Sequence, residues 1–507
     1  MRYRIFACVD FVLSSLLAPT AFVKTGETEK TPGGMRPAIP KTWDDEAMAS
    51  LEVPVVVPKY SPKAVSADYY YKIPARTIYK SYPIYAPGRA PVGYLEKLET
   101  LEPEVAFDPT RLKTEQAWIR AGELVFEAPT LYDGELTLEN VADPNWYTHT
   151  RVRLTRNGIM PYARYVLRKK GKLEVGNLSC AMCHTSVLED GTVIKAGQGN
   201  FPLDRNNALV TRRSTLEEGR RDFLALFSIP WIPERQQQFE SYSVEEMAAI
   251  LDSIPLGVLA RNRSNPFFPP AIPDLHGVRD RRYLDKSGLN QHRGMVDLMR
   301  YAAMAQGLEF LSSFDGFIPL GEENFKSLPP PESQGRFSDE QLYALALWLY
   351  SLEPPPNPRP PEVRLAVAGK KVFDQEGCGA CHTPPLYTNN KLTPAKEFKV
   401  PEEHKSRYDV LPVSVGTDPR LTMETRRGTG YYKVPSLRGL WYRGPFEHNG
   451  SCATLEDWFD PARLRDDYVP TGFVGYRIKT RAVKGHEFGL NLSVEDKKAL
   501  IAFLRTL

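Results

Sequence analysis

Charge of one sign is what this chain has least of. Its 65 basic residues face 62 acidic ones, leaving a net +3, and no basic run stands out. That balance excludes a nucleic-acid surface built on clustered lysine and arginine. Long apolar runs are also scarce. Past the first two dozen residues, nothing approaches the roughly 18–20 apolar residues of a membrane-spanning helix, so no membrane span is expected. Cysteine is sparse, with six in 507 residues. One is Cys8; the others are Cys180, Cys183, Cys378, Cys381 and Cys452. An exported protein could spend such residues on disulfides. Here four of the five after Cys8 fall into two short repeats of one pattern.

The apolar run that does exist is N-terminal. A basic start, "MRYR", precedes "IFACVDFVLSSLLAPTAFV" (5–23), with small residues around Pro19-Thr20-Ala21. This is the layout of a secretory signal peptide over residues 1–23, although Asp10 interrupts it. The expectation is a periplasmic or secreted protein. Proline is plentiful at 44, which predicts long irregular stretches between short helices.

The repeated pattern is Cys-x-x-Cys-His, at 180–184 (CAMCH) and 378–382 (CGACH). It is the attachment motif of c-type haem. Two thiols form thioethers to the vinyl groups of one porphyrin, and the adjacent histidine reaches the iron from one face. Paired CxxC also occurs in zinc ribbons, but those do not need a histidine after both pairs. A redox dithiol would sit beside a βαβ pattern, and none is evident. Two covalently bound haem c groups are therefore expected, on Cys180, Cys183 and His184, and on Cys378, Cys381 and His382.

Around the second pentad, "VRLAVAGKKVFDQ" (363–375) is an amphipathic helix leading straight into the motif, with Gly369 and Phe373. The chain closes on "SVEDKKALIAFLRTL" (493–507), with Ser493 as N-cap. The same plan recurs earlier, stretched by insertions. "AWIRAGELVFEAP" (117–129) carries Gly122 and Phe126, and about fifty residues follow before Cys180. "FSDEQLYALALWLYSLEPP" (337–355) closes it, with Ser338 and Gln341 forming a capping box. The predicted fold is mainly α: two cytochrome c-type haem domains with long irregular loops. Residues 112–353 form the N-terminal haem domain, 354–361 a Pro-rich linker, and 362–507 the C-terminal cytochrome c domain. Residues 24–111, rich in Tyr and Pro, form an extended arm over the surface.

The run "KVPSLRG" (433–439), then "GPFEHNGS" (444–451) and "ATLED" (453–457), resembles the C-terminal domain of bacterial di-haem cytochrome c peroxidases and their MauG-like relatives. The two-domain plan is similar to that superfamily over about residues 112–507, and the Tyr-rich arm and long insertions look more like its rubber-oxygenase branch. The resemblance implies two α-helical haem domains facing each other, with His448 near the haem propionates. It also implies a methionine on the second iron at the position of Ala462, yet no methionine follows Met423. His486, just before the closing helix and flanked by glycines that permit close approach, is the leading replacement; Met423 and Tyr468 are its rivals. The family position two residues before the motif's proline holds Arg443 instead of Thr, which puts the family's calcium ion in doubt.

For the first haem, His276 in "PDLHG" is the leading distal and catalytic residue, with His292 and His149 as alternatives or an open face. Met295, Met299 and Met304 repeat at helical spacing and read as core. The resulting expectation is an oxidoreductase whose N-terminal haem reacts with peroxide or dioxygen while the C-terminal haem transfers electrons. The competing readings are a pure electron-transfer cytochrome with both irons capped and, less favoured, a binding or scaffold module. Partners would be a small-molecule oxidant and a redox donor, protein or small molecule.

Overall fold

The computed structural model describes residues 37–58, 61, 63–227, 238–260, 266–313, 335–425 and 427–507. The signal-peptide region, 1–23, and the start of the arm lie outside them. By compactness the chain divides into Met1–Ala38 and Ile39–Leu507. All the elements below belong to the second unit. No helix among the described residues is long and apolar enough to cross a membrane.

Two helix crossings share one design. Glu115–Glu127 starts at Thr114, whose side chain accepts from the Ala117 amide, and buries Trp118, Ala121, Gly122, Val125 and Phe126. That i, i+3, i+4, i+7, i+8 stripe faces helix Asp339–Ser351. At the crossing, a Cβ on Gly122 would stand 2.0 Å from the Ala344 carbonyl oxygen and 2.6 Å from Trp348 Cβ. Only glycine lets the two backbones come this close. One turn on, the Phe126 and Trp348 rings lie 4.6 Å apart. Helices Val363–Gln375 and Val494–Leu504 repeat this. A Cβ on Gly369 would stand 1.8 Å from the Ala499 carbonyl oxygen, and the Phe373 and Phe503 rings are 5.3 Å apart.

The expected mainly α architecture needs correction: among the described residues the structure is mixed, 37% helix and 13% strand. Much of the strand lies in the stretch before Cys180. There, Ile159–Lys169 and Lys172–Asn177 form an antiparallel hairpin, flanked by Ser81–Tyr85 on one side and Leu131–Tyr132 on the other. The strands do not alternate between apolar and polar residues, because both faces are covered. Glu174, only 3% exposed, sits in mid-strand and is matched by the Arg168 guanidinium at 2.8 Å.

The Tyr/Pro-rich segment does more than run over the surface. Trp43 and Tyr70 are buried and stacked at 4.3 Å, in the same core as Trp118, Phe126 and Trp348. Met299 and Met304 are buried there too, with Met295 packed against them, as their helical spacing predicts. Ser81–Tyr85 adds an outer strand to the sheet.

Candidate functional site

The second pentad follows its helix directly. Gly377, with φ +70°, turns the chain, and Cys378–Ala380 form one 3₁₀ turn. Cys378, Cys381 and His382 all line a cavity of about 270 Å³. Burial pushes the Cys378 thiol up to about 11. His382 Nδ1 lies 3.0 Å from the Tyr387 carbonyl, which fixes the ring and leaves Nε2 available. Burial, only partly countered by the Tyr387 and Pro435 carbonyls, lowers its pKa and keeps the imidazole neutral.

His486 lines the same cavity. Its ring centre is 6.2 Å from that of His382, at 60° between planes. Metal–imidazole bonds are about 2 Å, so two rings on opposite faces of one ion stand roughly 6 Å centre to centre. The pair thus has the spacing that a shared iron requires. His486 Nδ1 is buried without a hydrogen-bond partner. Burial, and then the neighbouring His382, pushes its pKa down to about 4.

The loop that carries His486 is pinned. Its backbone has φ +48°, and its amide donates to the Val415 carbonyl at 2.8 Å. A Cβ on Gly485 would stand 2.7 Å from the Thr417 backbone. Fully buried Arg463 donates to the carbonyls of Trp458, Val483, Gly485 and His486 at 2.5–3.0 Å. Trp458 and Phe488 rings lie 5.4 and 5.3 Å from the imidazole.

The other sequence candidates fall as follows. Met423 and Tyr468 are not among the residues lining the cavity, and neither is Ala462. His448 does line it, with its ring 4.8 Å from that of Tyr432 and its Nδ1 on the Glu447 carboxylate. Arg443 also lines it.

The first pentad is built differently. Ser179 caps a single helical turn, Cys180–His184. Cys180 packs toward the core that holds Trp348, and Cys183 toward the one beneath the sheet. A Cβ on Gly199 would stand 1.9 Å from the Cys183 carbonyl, so the loop at Gly199 lies directly against the turn. His184 Nδ1 lies 3.1 Å from the Pro273 carbonyl. Pro273 also lines the cavity of the second pentad, so one short segment touches both sites.

Three residues on from Pro273 is His276, 5% exposed. Its Nδ1 is 3.1 Å from Asp274 Oδ2, and the Tyr442 hydroxyl, 3.0 Å from that nitrogen, donates to the same carboxylate at 2.8 Å. Burial alone would raise the Asp274 pKa, but His276, Arg443 and Arg281 hold it below the usual carboxylate range. Asp274 lines the cavity, whereas His276 is not among its lining residues. His292 has both ring nitrogens engaged, on the Arg281 carbonyl at 2.6 Å and the Tyr350 hydroxyl at 2.7 Å. His149 faces Asp252 at 3.5 Å near the surface.

Sequence reasoning missed the Asp274–Tyr442 pair, the Arg463 clamp, and the lysines and arginines around the cavity. Only Arg443 carried a signal, as a departure inside a recognisable motif.

No family model matches the chain. It is 29% identical over 155 residues to the cytochrome-c peroxidase IdrP2 of Denitromonas iodatirespirans, a match covering 27% of this chain and 38% of that protein. The chain therefore spans well under half the length of that relative. Among solved structures, it is similar to hydrazine synthase of Kuenenia stuttgartiensis pressurised with xenon, at 15% identity over 59% of this chain and 92% of that one. The TM-score is 0.30, too low to carry fold or function.

Proposed function

We propose that the chain is an exported di-haem c-type oxidoreductase. In this reading, Cys378, Cys381, His382 and His486 would hold one haem, which would supply electron transfer. Cys180, Cys183 and His184 would hold another, which would supply peroxide or dioxygen chemistry. The observation that carries the reading is the His382–His486 pair, 6.2 Å apart across a cavity that both pentad cysteines line. The partial likeness to a cytochrome-c peroxidase agrees in chemical class.

Bound haem would supply a one-electron iron couple, tuned by its axial ligands. The chain's own residues do the rest. The Tyr387 and Pro273 carbonyls hold Nδ1–H of His382 and His184, which orients each ring and strengthens Nε2 as a ligand. Trp458 and Phe488 wall His486 and, with burial, keep it neutral. At the His184 site, His276 is assigned as the proton-handling residue. Asp274 holds its Nδ1, leaving Nε2 to give or take a proton. A small-molecule oxidant and a redox donor complete the cycle.

Replacing His486 with Ala should turn the His382 haem from low to high spin, read by paramagnetic resonance and visible absorption. An unchanged low-spin signal moves the ligand assignment to Met423 or Tyr468. Carbon monoxide should bind the reduced protein only at the His184 haem. Binding only at the His382 haem, or at neither, sinks the division of labour, and binding at neither favours the carrier reading.

A further inference from the structure

The cavity wall is unevenly charged. Among the described residues, Arg281, Lys286, Lys433 and Arg443 line it, against the two carboxylates Asp274 and Glu447. By formal charge, the described lining thus has two more basic than acidic side chains, histidines aside. Both carboxylates are already engaged. Asp274 serves His276, Tyr442 and Arg281. Glu447 accepts from His448 and from the Asn449 amide.

The cations, in contrast, have donors to spare. Among the described residues, the Lys286 ammonium has no hydrogen bond or ion pair. Lys433 Nζ reaches only the carbonyls of Tyr283 and Leu284, at 3.2 and 2.7 Å, which leave its charge uncompensated. Arg443 spends Nη1 on the Ser436 and Arg438 carbonyls, at 2.8 and 3.2 Å, while its Nε is buried without a partner. Arg281 donates through Nη1 and Nη2 to the carbonyls of Asp274 and His276, and its Nε is likewise buried and unpartnered. Unmet buried donors on like-charged side chains are costly, and an anion would relieve both the hydrogen-bond deficit and the repulsion. Burial, with Arg443 and Arg281 nearby, pushes Lys286 down to about 8, as expected where a counter-anion is missing.

We propose that Arg281, Lys286, Lys433 and Arg443 form the receiving end of this cavity for the haem carboxylates, so that protein cations, not water, neutralise the two propionates of the ring held at His382. The proposal rests on the haem reading above, and it adds a reason for the surplus of two charges. Arg443, the departure from the family motif, then has a role: a fixed cation beside the ring edge.

The test is a spectroelectrochemical titration of the full haem-loaded protein, following the low-spin haem. Removing a cation leaves a propionate uncompensated and favours ferric iron. Lys286→Met and Arg443→Met should each lower the equilibrium constant for reduction about tenfold, ~59 mV for one electron. Lys286→Arg and Arg443→Lys should stay within a factor of two of wild type. The exposed Lys498→Met is the control. Propionate bending modes in resonance Raman spectra give a second readout. They should move in Lys286→Arg and Arg443→Lys, so the test does not depend on assembly of the methionine variants. Methionine variants that shift no more than Lys498→Met, or Raman modes unmoved in both conservative variants, overturn the proposal. So does a wild-type potential that moves with millimolar phosphate but not in Lys286→Met, since the cluster would then be open to free anions. Wild type lacking haem in a haemochrome assay would instead overturn the haem reading itself.

Discussion

The two pentads share their two cysteines and their histidine, and little else in their surroundings is the same. Each lies near a helix crossing of one design: Gly122 and Phe126 against Ala344 and Trp348, Gly369 and Phe373 against Ala499 and Phe503. In the C-terminal half, the pentad follows the first helix at once and opens onto a cavity faced by His486. In the N-terminal half, a four-stranded sheet intervenes, and the pentad is a capped helical turn wedged between two cores. The repeated crossing provides a platform, and the insertion decides what surrounds each pentad. In the proposed reading, a motif shared in sequence would supply the attachment chemistry and one iron ligand, while residues far away in the chain would set the other face.

The largest effect on this comparison should come from filling the crossings. Gly122→Ala places a methyl 2.0 Å from the Ala344 carbonyl oxygen, and Gly369→Ala places one 1.8 Å from that of Ala499. Neither obstacle is a flexible side-chain end, so the helices must separate. Each substitution should cost about 1–3 kcal/mol or more, as overpacked cores do. Guanidinium unfolding followed by tryptophan fluorescence measures it. A loss below half a kilocalorie at either site would show that the two crossings are not equivalent.

The crossings were legible because their signals are local. A glycine and an aromatic four residues apart, a serine cap and a helical stripe can all be read within one element. The flanking glycines also marked out His486, which lines the same cavity as His382. The sheet was not, because Glu174 and Arg168 neutralise each other inside it and blur the alternation that marks a strand. The cationic wall was illegible for a different reason: Arg281 and Lys286 come from one segment, Lys433 and Arg443 from another, and only the fold aligns them. His276 stood out in the sequence by its motif, but Tyr442, which it contacts, lies far along the chain, so its setting had to come from the structure.

Two buried carboxylates sharpen the contrast between satisfied and unsatisfied surroundings. Asp274 is ringed by His276, Tyr442 and Arg281 and is held below its ordinary pKa. A lowered value contributes stability above the unfolded pKa near 3.8, lost as pH falls through the folded value. Among the described residues, Asp204 accepts from the Ala260 amide alone, and burial raises it well above the ordinary value. A raised value has the opposite sign. No penalty exists below about 3.8, and it grows as pH rises until the folded group ionises. At pH 7, Asp204→Asn should stabilise the protein by about 1 kcal/mol, while Asp274→Asn should destabilise it by about 1–3 kcal/mol. Repeating both at pH 4 should shrink the Asp204 effect first. Equal signs at pH 7, by thermal or guanidinium unfolding, would contradict the assignment.

The smallest difference concerns the two closing helices, which start on serine in the same way but are fastened unequally. Ser338 accepts from the Gln341 amide, and the Gln341 side chain returns to the Ser338 amide, completing a capping box. Gln341 is itself buried and donates to the Arg76 carbonyl at 2.8 Å, so this cap ties the helix to the N-terminal segment. Ser493 accepts from the Asp496 amide at 3.0 Å, but that pair is exposed and no return bond reaches the Ser493 amide. Loss of a serine cap typically costs about 1 kcal/mol, within a range of about 0.5–2. Ser338→Ala should fall in the upper half of that range, because a buried glutamine loses part of its network with the cap. Ser493→Ala should fall near its lower end, where water replaces the hydroxyl. Hydrogen exchange at the Gln341 and Asp496 amides isolates the local effect from the global one. Faster exchange at Asp496 than at Gln341 in wild type, with the order kept in both variants, is the expected pattern; the reverse order would mean that the C-terminal helix, not the N-terminal one, is the better anchored of the pair.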